Sequence, residues 1–194
     1  MSSRLLFFGE SAMKKFRLFF VLYATLLAAG TARAGDFSIE SVELAGNSFD
    51  NAQVSGSFGC HGQNISPAIR WTGEPKGTQS YLITMFDADA PTGSGFWHWV
   101  VTDIPASDHV IASGAGSDIS RVPAGARVMK NDMGNAAYLG PCPPQGETHR
   151  YVISLTALKV TKLSVDDNAT PAVIGFTAHY QELAKATMTV RYGR

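Results

Sequence analysis

The sequence predicts a mostly β domain: an antiparallel β-sandwich with one or two short helices at its periphery. Three observations carry this. Short runs rich in β-branched and aromatic residues recur along the chain, at strand rather than helix length. Stretches such as Gly73-Glu74-Pro75-Lys76-Gly77 and Pro91-Thr92-Gly93-Ser94-Gly95 separate them, and such residues mark turns. One helix pattern comes late, so strands do not alternate with helices as a doubly wound parallel sheet requires.

The elements follow in order. Lys14, Lys15 and Arg17 precede the apolar run Leu18 to Ala29, and Ala32-Arg33-Ala34 follows. Basic flank, apolar run and small-x-small triplet are the parts of a cleaved export leader. The run is too short for the roughly 20 apolar residues of a membrane span. Residues 1–34 are therefore expected to be an N-terminal extension plus leader, cut after Ala34. Met13 is a better start for such a leader than Met1. Residues 35–194 form one domain, large enough for its own core. Its location is expected to be periplasmic or secreted.

Phe37, Ile39 and Val42 open that domain with a first strand, and Pro67–Trp71 makes a short second one. Tyr81–Asp87, Trp97–Ile104 and Tyr151–Leu158 are the long apolar strands. Thr170 is a good N-cap and Pro171 a good first helical residue. Val173, Phe176, Tyr180 and Leu183 then share one helical face, which is expected to dock. Thr187–Tyr192 closes the domain as a strand.

Charge excludes some functions. The whole chain balances 16 basic against 16 acidic residues. The leader region holds five of the basic residues and one of the acidic ones, so the mature part has 11 against 15, about −4. An acidic domain without a basic run is a poor nucleic-acid partner and lacks a polybasic membrane anchor. Cys60 and Cys142 are the only cysteines. An even count in an exported chain points to a disulfide, with two buried free thiols as the alternative. No C-x-x-C spacing suggests a metal.

Three segments concentrate unusual residues: Asp87-Ala88-Asp89-Ala90-Pro91, Trp97-His98-Trp99, and Gly140-Pro141-Cys142-Pro143-Pro144-Gln145-Gly146 leading to His149-Arg150-Tyr151. Strand alternation sends both indoles to one face and His98 to the other, with Val100 and Thr102. The same rule puts His149 and Tyr151 on a shared face. Prolines stiffen the third segment, so it can aim backbone N–H groups at an anion. Taken singly, each segment also has a structural reading: a satisfied strand histidine, a turn, a connector. Residue chemistry alone reaches a polar pocket fed by three loops. His61, His109 and His179 read as solvated loop or helix residues.

Together these segments resemble the two signature regions of the phosphatidylethanolamine-binding proteins, also called Raf kinase inhibitor proteins. Asn64-Ile65-Ser66-Pro67-Ala68-Ile69-Arg70-Trp71 and Asn131-Asp132-Met133-Gly134 are similar to the bacterial, YbhB/YbcL-type branch. The resemblance runs from about Gly46 to Tyr192. It implies a β-sandwich of that type with a small pocket for phosphate-like anions. By position, it implies Asp87, Asp89, Pro91, His98, Gly140, Cys142, Pro143, His149 and Tyr151 as ligand-binding residues. Asp89 would also brace its loop. Cys142 replaces a glycine of eukaryotic members, which implies a rim loop tied by the Cys60–Cys142 disulfide. The ligand-contacting tyrosine of the eukaryotic C-terminal helix has no clear counterpart, since Tyr192 ends a strand.

The function implied is an exported protein that binds a small phosphate- or carboxylate-bearing ligand, without a cofactor or metal. An alternative is inhibition of a protease or signalling protein, with a protein target met by rim loops around Phe96 and Trp97. Kinase binding is not carried over, because export separates this chain from cytosolic kinases. A hydrolase or metal enzyme built on the two histidines and Asp87 is a further alternative. Neither G-x-S-x-G nor H-E-x-x-H is present to support it. The bacterial relatives imply a homodimer.

Overall fold

A computed structural model describes residues 36–194. The expected leader and its cut after Ala34 lie outside the described residues. Two antiparallel sheets face each other. The smaller joins β1 (Ser38–Glu40), β2 (Ile69–Thr72) and β5 (Val110–Ile111), with β2 central. The larger joins β3 (Ser80–Asp87), β4 (Phe96–Pro105), β6 (Arg127–Val128), β7 (Thr148–Leu158) and β8 (Glu182–Gly193) in the order β6-β4-β3-β7-β8. One helix, α1 (Pro171–His179), precedes β8. The mostly β, antiparallel sandwich predicted from sequence is the architecture found.

The core lies between the sheets. Ile69 and Trp71 from the small sheet meet Tyr81, Ile83, Met85, Trp99 and Ile153 from the large one, all essentially buried. A second cluster covers the other face of the large sheet, where Leu82, Val100 and Leu158 pack with Leu163, Ile174 and Ala178. β3 is thus covered on both faces, which is why its sequence is a continuous apolar run rather than an alternating one. It pairs with β4 on one side and β7 on the other.

Four expectations need correction. α1 buries Pro171, Ile174 and Ala178, while Val173, Phe176 and Tyr180 face solvent, Phe176 at 65% exposure. The helix carries apolar residues on more than one side, so periodicity could not choose the docking stripe. Leu183 is not helical, because β8 begins at Glu182, five residues before Thr187. Val42 falls in a 3-10 segment, Val42–Asn47, and is exposed. The two-residue strands β5 and β6 carry no pattern long enough to read.

The fourth correction positions the site. Phe86 pairs with Trp97 and Met85 with Trp99, so His98 has no partner in β3. This β-bulge breaks the alternation that would set both indoles on one face. Trp97 turns outward onto Phe86, with ring centroids 4.5 Å apart. Trp99 is fully buried in the core. His98 shares the inner side with Trp99, away from Val100, and its ring lies edge-on to Phe96 and Tyr151.

Candidate functional site

The site lies where β3 ends, β4 begins and β7 begins. Asp87 is the last residue of β3 and pairs across to Tyr151 of β7. Its Oδ1 accepts the Asp89 N–H at 2.9 Å, an Asx turn that ends the strand. Its Oδ2 lies 2.7 Å from His149 Nδ1 and 3.9 Å from His98 Nε2. His149 and Tyr151 share the inner face of β7, as alternation predicts.

The two histidines differ. His149 Nδ1 donates to Asp87, and Nε2 donates to Glu147 Oε2 at 2.9 Å. Both nitrogens serve as donors only in the charged ring. Burial works against that charge, but the hydrogen bonds that Glu147 and Asp87 accept outweigh it, and the pKa is raised above its ordinary value. His98 instead gives Nδ1 to the Leu139 carbonyl, which can only accept, at 2.9 Å. Burial lowers its pKa, and the Leu139 carbonyl and the Asp87 charge restore only part of the loss. Burial thus favours the neutral ring, whose proton sits on Nδ1 and leaves Nε2 bare.

A cavity of about 240 Å³ opens over these groups. Asp87, His98, His149 and Tyr151 line it together with Pro91, Gly140, Cys142 and Pro143. Eight of the nine residues singled out from sequence therefore meet at one cavity. Asp89 does not. It turns to Arg150, accepting from its backbone N–H, Nε and Nη2 at 2.8, 2.9 and 2.6 Å. Those hydrogen bonds hold its pKa at about 2. Its place is the brace between the β3 turn and β7. Tyr151 is fully buried, and no acceptor or donor reaches its hydroxyl in hydrogen-bond geometry. Burial, then the Asp87 charge nearby, raises its pKa.

The rim is built from distant segments. Cys60 and Cys142 form a disulfide with Cα atoms 6.0 Å apart. It brings Phe58 over the cavity. Gly140 has no room for a side chain, because a Cβ would strike the Gln53–Ser55 backbone. Asn64 Oδ1 accepts the Gly140 N–H at 2.7 Å. Asn131 Oδ1 accepts the Met133 N–H at 2.9 Å, and Asp132 Oδ2 accepts the Trp97 N–H at 2.8 Å. The Asn131–Gly134 motif thus sets Met133 at the cavity mouth and fixes the start of β4. Arg194 donates to Pro143 O at 2.6 Å, Gly59 O at 2.9 Å and Phe58 O at 3.2 Å, joining the two segments that the disulfide links.

Sequence reasoning passed over Phe58, Met133, Leu139, Glu147 and Arg194. Glu147 could have been found from its place two residues before His149, and Phe58 from its place beside Cys60. Leu139 acts through its own backbone carbonyl and Arg194 through a guanidinium bound to backbone carbonyls, neither of which sequence signals. Phe96 lines the cavity, whereas Trp97, grouped with it at the mouth from sequence, is on the outer face. His61 and His179 are exposed, and His109 makes an exposed pair with Glu74 at 3.1 Å. Among the described residues no cluster of three or more His, Cys, Asp or Glu is arranged to hold a metal ion. Among them, too, no helix is long and apolar enough to cross a membrane.

Comparison with known proteins matches this architecture. The family profile described as phosphatidylethanolamine-binding protein matches residues 40–193. The UPF0098 protein YbhB of Escherichia coli is 41% identical over 147 residues, covering 76% of this chain and 93% of its own. The UPF0098 protein YbcL of the same organism is 40% identical over 177 residues, covering 89% and 97%. The crystal structure of YbcL, described as a new member of the mammalian PEBP family, superposes with a TM-score of 0.78. It is 39% identical and covers 81% of this chain and 98% of that one. A bulged histidine, an Asp87–His149 pair and a proline-rich rim on a two-sheet sandwich thus come with a family match over nearly all the described residues: this chain belongs to the phosphatidylethanolamine-binding protein family.

Proposed function

We propose that this protein is an exported binding module that holds the acidic head of a small ligand, a phosphate or a carboxylate, in the cavity above Asp87, His98 and Tyr151. One observation carries the reading: Tyr151, whose buried hydroxyl has no hydrogen-bond partner, and His98 line the same cavity. A buried polar group left unpaired costs about 1–3 kcal/mol, which a ligand oxygen would recover. His149 has both nitrogens committed to carboxylates, which leaves His98 and Tyr151 to meet the ligand. Export is supported by the leader pattern, the disulfide and the YbcL match, whose 89% coverage exceeds what residues 35–194 supply.

A second reading, inhibition of a protein target through the rim, is favoured by Phe58 and Met133. They stand at the mouth with 60% and 48% exposure. Calorimetry with phenyl phosphate and O-phosphorylethanolamine tests the first reading. Tyr151→Phe and His98→Ala are each expected to weaken binding about tenfold, the value of one hydrogen bond to a charged group. His179→Ala serves as the unaffected control. Equal affinities in all four proteins would refute the pocket and leave the rim reading.

A further inference from the structure

The cavity has no fixed cation to receive an anion. No Lys or Arg lines it. The charged ring of His149 spends both N–H groups on Asp87 and Glu147. The Arg194 guanidinium is spent on three carbonyls of the rim. Asp87 uses Oδ1 on the Asp89 N–H and Oδ2 on His149. Asp87 is the one acidic residue lining the cavity, and the His149 ring it holds is also tied to the exposed Glu147, so the lining offers an incoming anion no uncommitted positive charge. The groups left over include the Tyr151 hydroxyl, which can donate, and His98 Nε2, which has no acceptor within hydrogen-bond distance and so suits a ring that carries its one proton on Nδ1. His98 Nε2 is 3.9 Å from Asp87 Oδ2, too far for a hydrogen bond but close enough for the carboxylate to favour a proton between them.

We infer that an acidic ligand enters this pocket together with one proton, which lies between a ligand oxygen and His98 Nε2, while the Tyr151 hydroxyl donates to a second ligand oxygen. The proton comes from solvent. Without it, the ligand's charge would be buried beside the Asp87 carboxylate with no free cation to pair it, which is among the costlier arrangements in a protein interior. With it, the floor matches a protonated acid group: an O–H facing a nitrogen and an oxygen facing an O–H. A phosphate monoester would bind as its monoanion and a carboxylate as its acid or as an ion pair with His98. A neutral primary amide offers the same donor and acceptor and would bind without any proton. A simple ammonium has no acceptor for Tyr151 and fits less well.

The groups facing His98 are Asp87 from β3, His149 and Tyr151 from β7, Phe96 from β4 itself, and Asp132 from the loop that caps β4. Burial lowers the pKa of His98, and no acceptor lies within hydrogen-bond distance of Nε2 to hold a proton there, so that proton arrives with the ligand.

The inference rests on the binding function proposed above. It is tested by calorimetry of the purified protein with benzoate, benzamide and phenyl phosphate. Titrations at about pH 7.5 in imidazole and in Tris separate buffer ionisation from binding and count protons. Benzoate and phenyl phosphate are each expected to take up close to one proton, and benzoate affinity to fall about tenfold per pH unit above neutrality. Benzamide is expected to bind with no proton exchange and no pH dependence. Benzoate or phenyl phosphate bound without proton uptake would overturn the inference and leave the binding function standing. No binding by any of the three would remove both.

Discussion

His98 and His149 lie within reach of the same Asp87 oxygen, yet their environments pull their protonation apart. His149 sits between two carboxylates that favour its charged form; His98 sits under a carbonyl, and burial favours its neutral form. The consequence for stability has a definite sign. A histidine whose pKa is raised in the folded state stabilises fully below its ordinary value near 6.5. That stabilisation is lost as pH rises through the folded value. His98, with a lowered pKa, does the reverse: its contribution is present above 6.5 and is lost as pH falls below it. Thermal unfolding between about pH 5 and pH 9 is expected to peak near neutrality. His149→Gln is expected to flatten the alkaline side and His98→Gln the acid side. An unchanged alkaline limb in His149→Gln would refute the charged assignment. Sequence could name these histidines but not their difference, because it is set by Leu139 and Glu147, one a carbonyl and the other an acid just ahead of a strand.

The elements that carry the site depart from regular geometry where the site needs it. Alternation predicted correctly that His149 and Tyr151 share a face, and failed at His98 because the strand is bulged there. Nothing in Trp97-His98-Trp99 announces a bulge, since it arises from the register between β3 and β4. The helix stripe was misassigned for a related reason: with apolar residues on several sides, docking depends on which stripe the outer sheet face accepts. The rim was legible only in part. Its proline-rich half stood out, whereas the Phe58 half is recruited by the disulfide and by Arg194. The disulfide closes a loop spanning 82 residues, so the chain-entropy model assigns it about 4 kcal/mol. Replacing both cysteines by alanine is expected to cost about 2–5 kcal/mol in denaturant unfolding. It is also expected to weaken phenyl phosphate binding, because Phe58 loses one of its two tethers. A stability loss with intact affinity would show that Arg194 alone maintains the rim.

At the scale of the whole molecule the reading from sequence held best. Strand-length runs of β-branched and aromatic residues, turn residues and one late, well-capped helix lead to a sandwich, and two sheets with α1 on the outer face are what forms. β3 and β4 were found to within a residue at each end, whereas β7 starts three residues before the expected Tyr151 and β8 runs back towards the helix. Motif order across the chain carried the family and eight of the nine site positions to one cavity. What the sandwich contributes is placement: it buries three strand ends together, so that an aspartate, two imidazoles and a phenol meet beneath apolar walls. The most direct test is nitrogen-15 NMR of the imidazole rings during titration with phenyl phosphate. His98 Nε2 is predicted to move from a bare to a proton-bearing shift in a saturable way, while His149 stays doubly protonated throughout. A ligand that binds without altering His98, or that alters His61, His109 or His179 instead, would contradict the assignment of this cavity as the binding site.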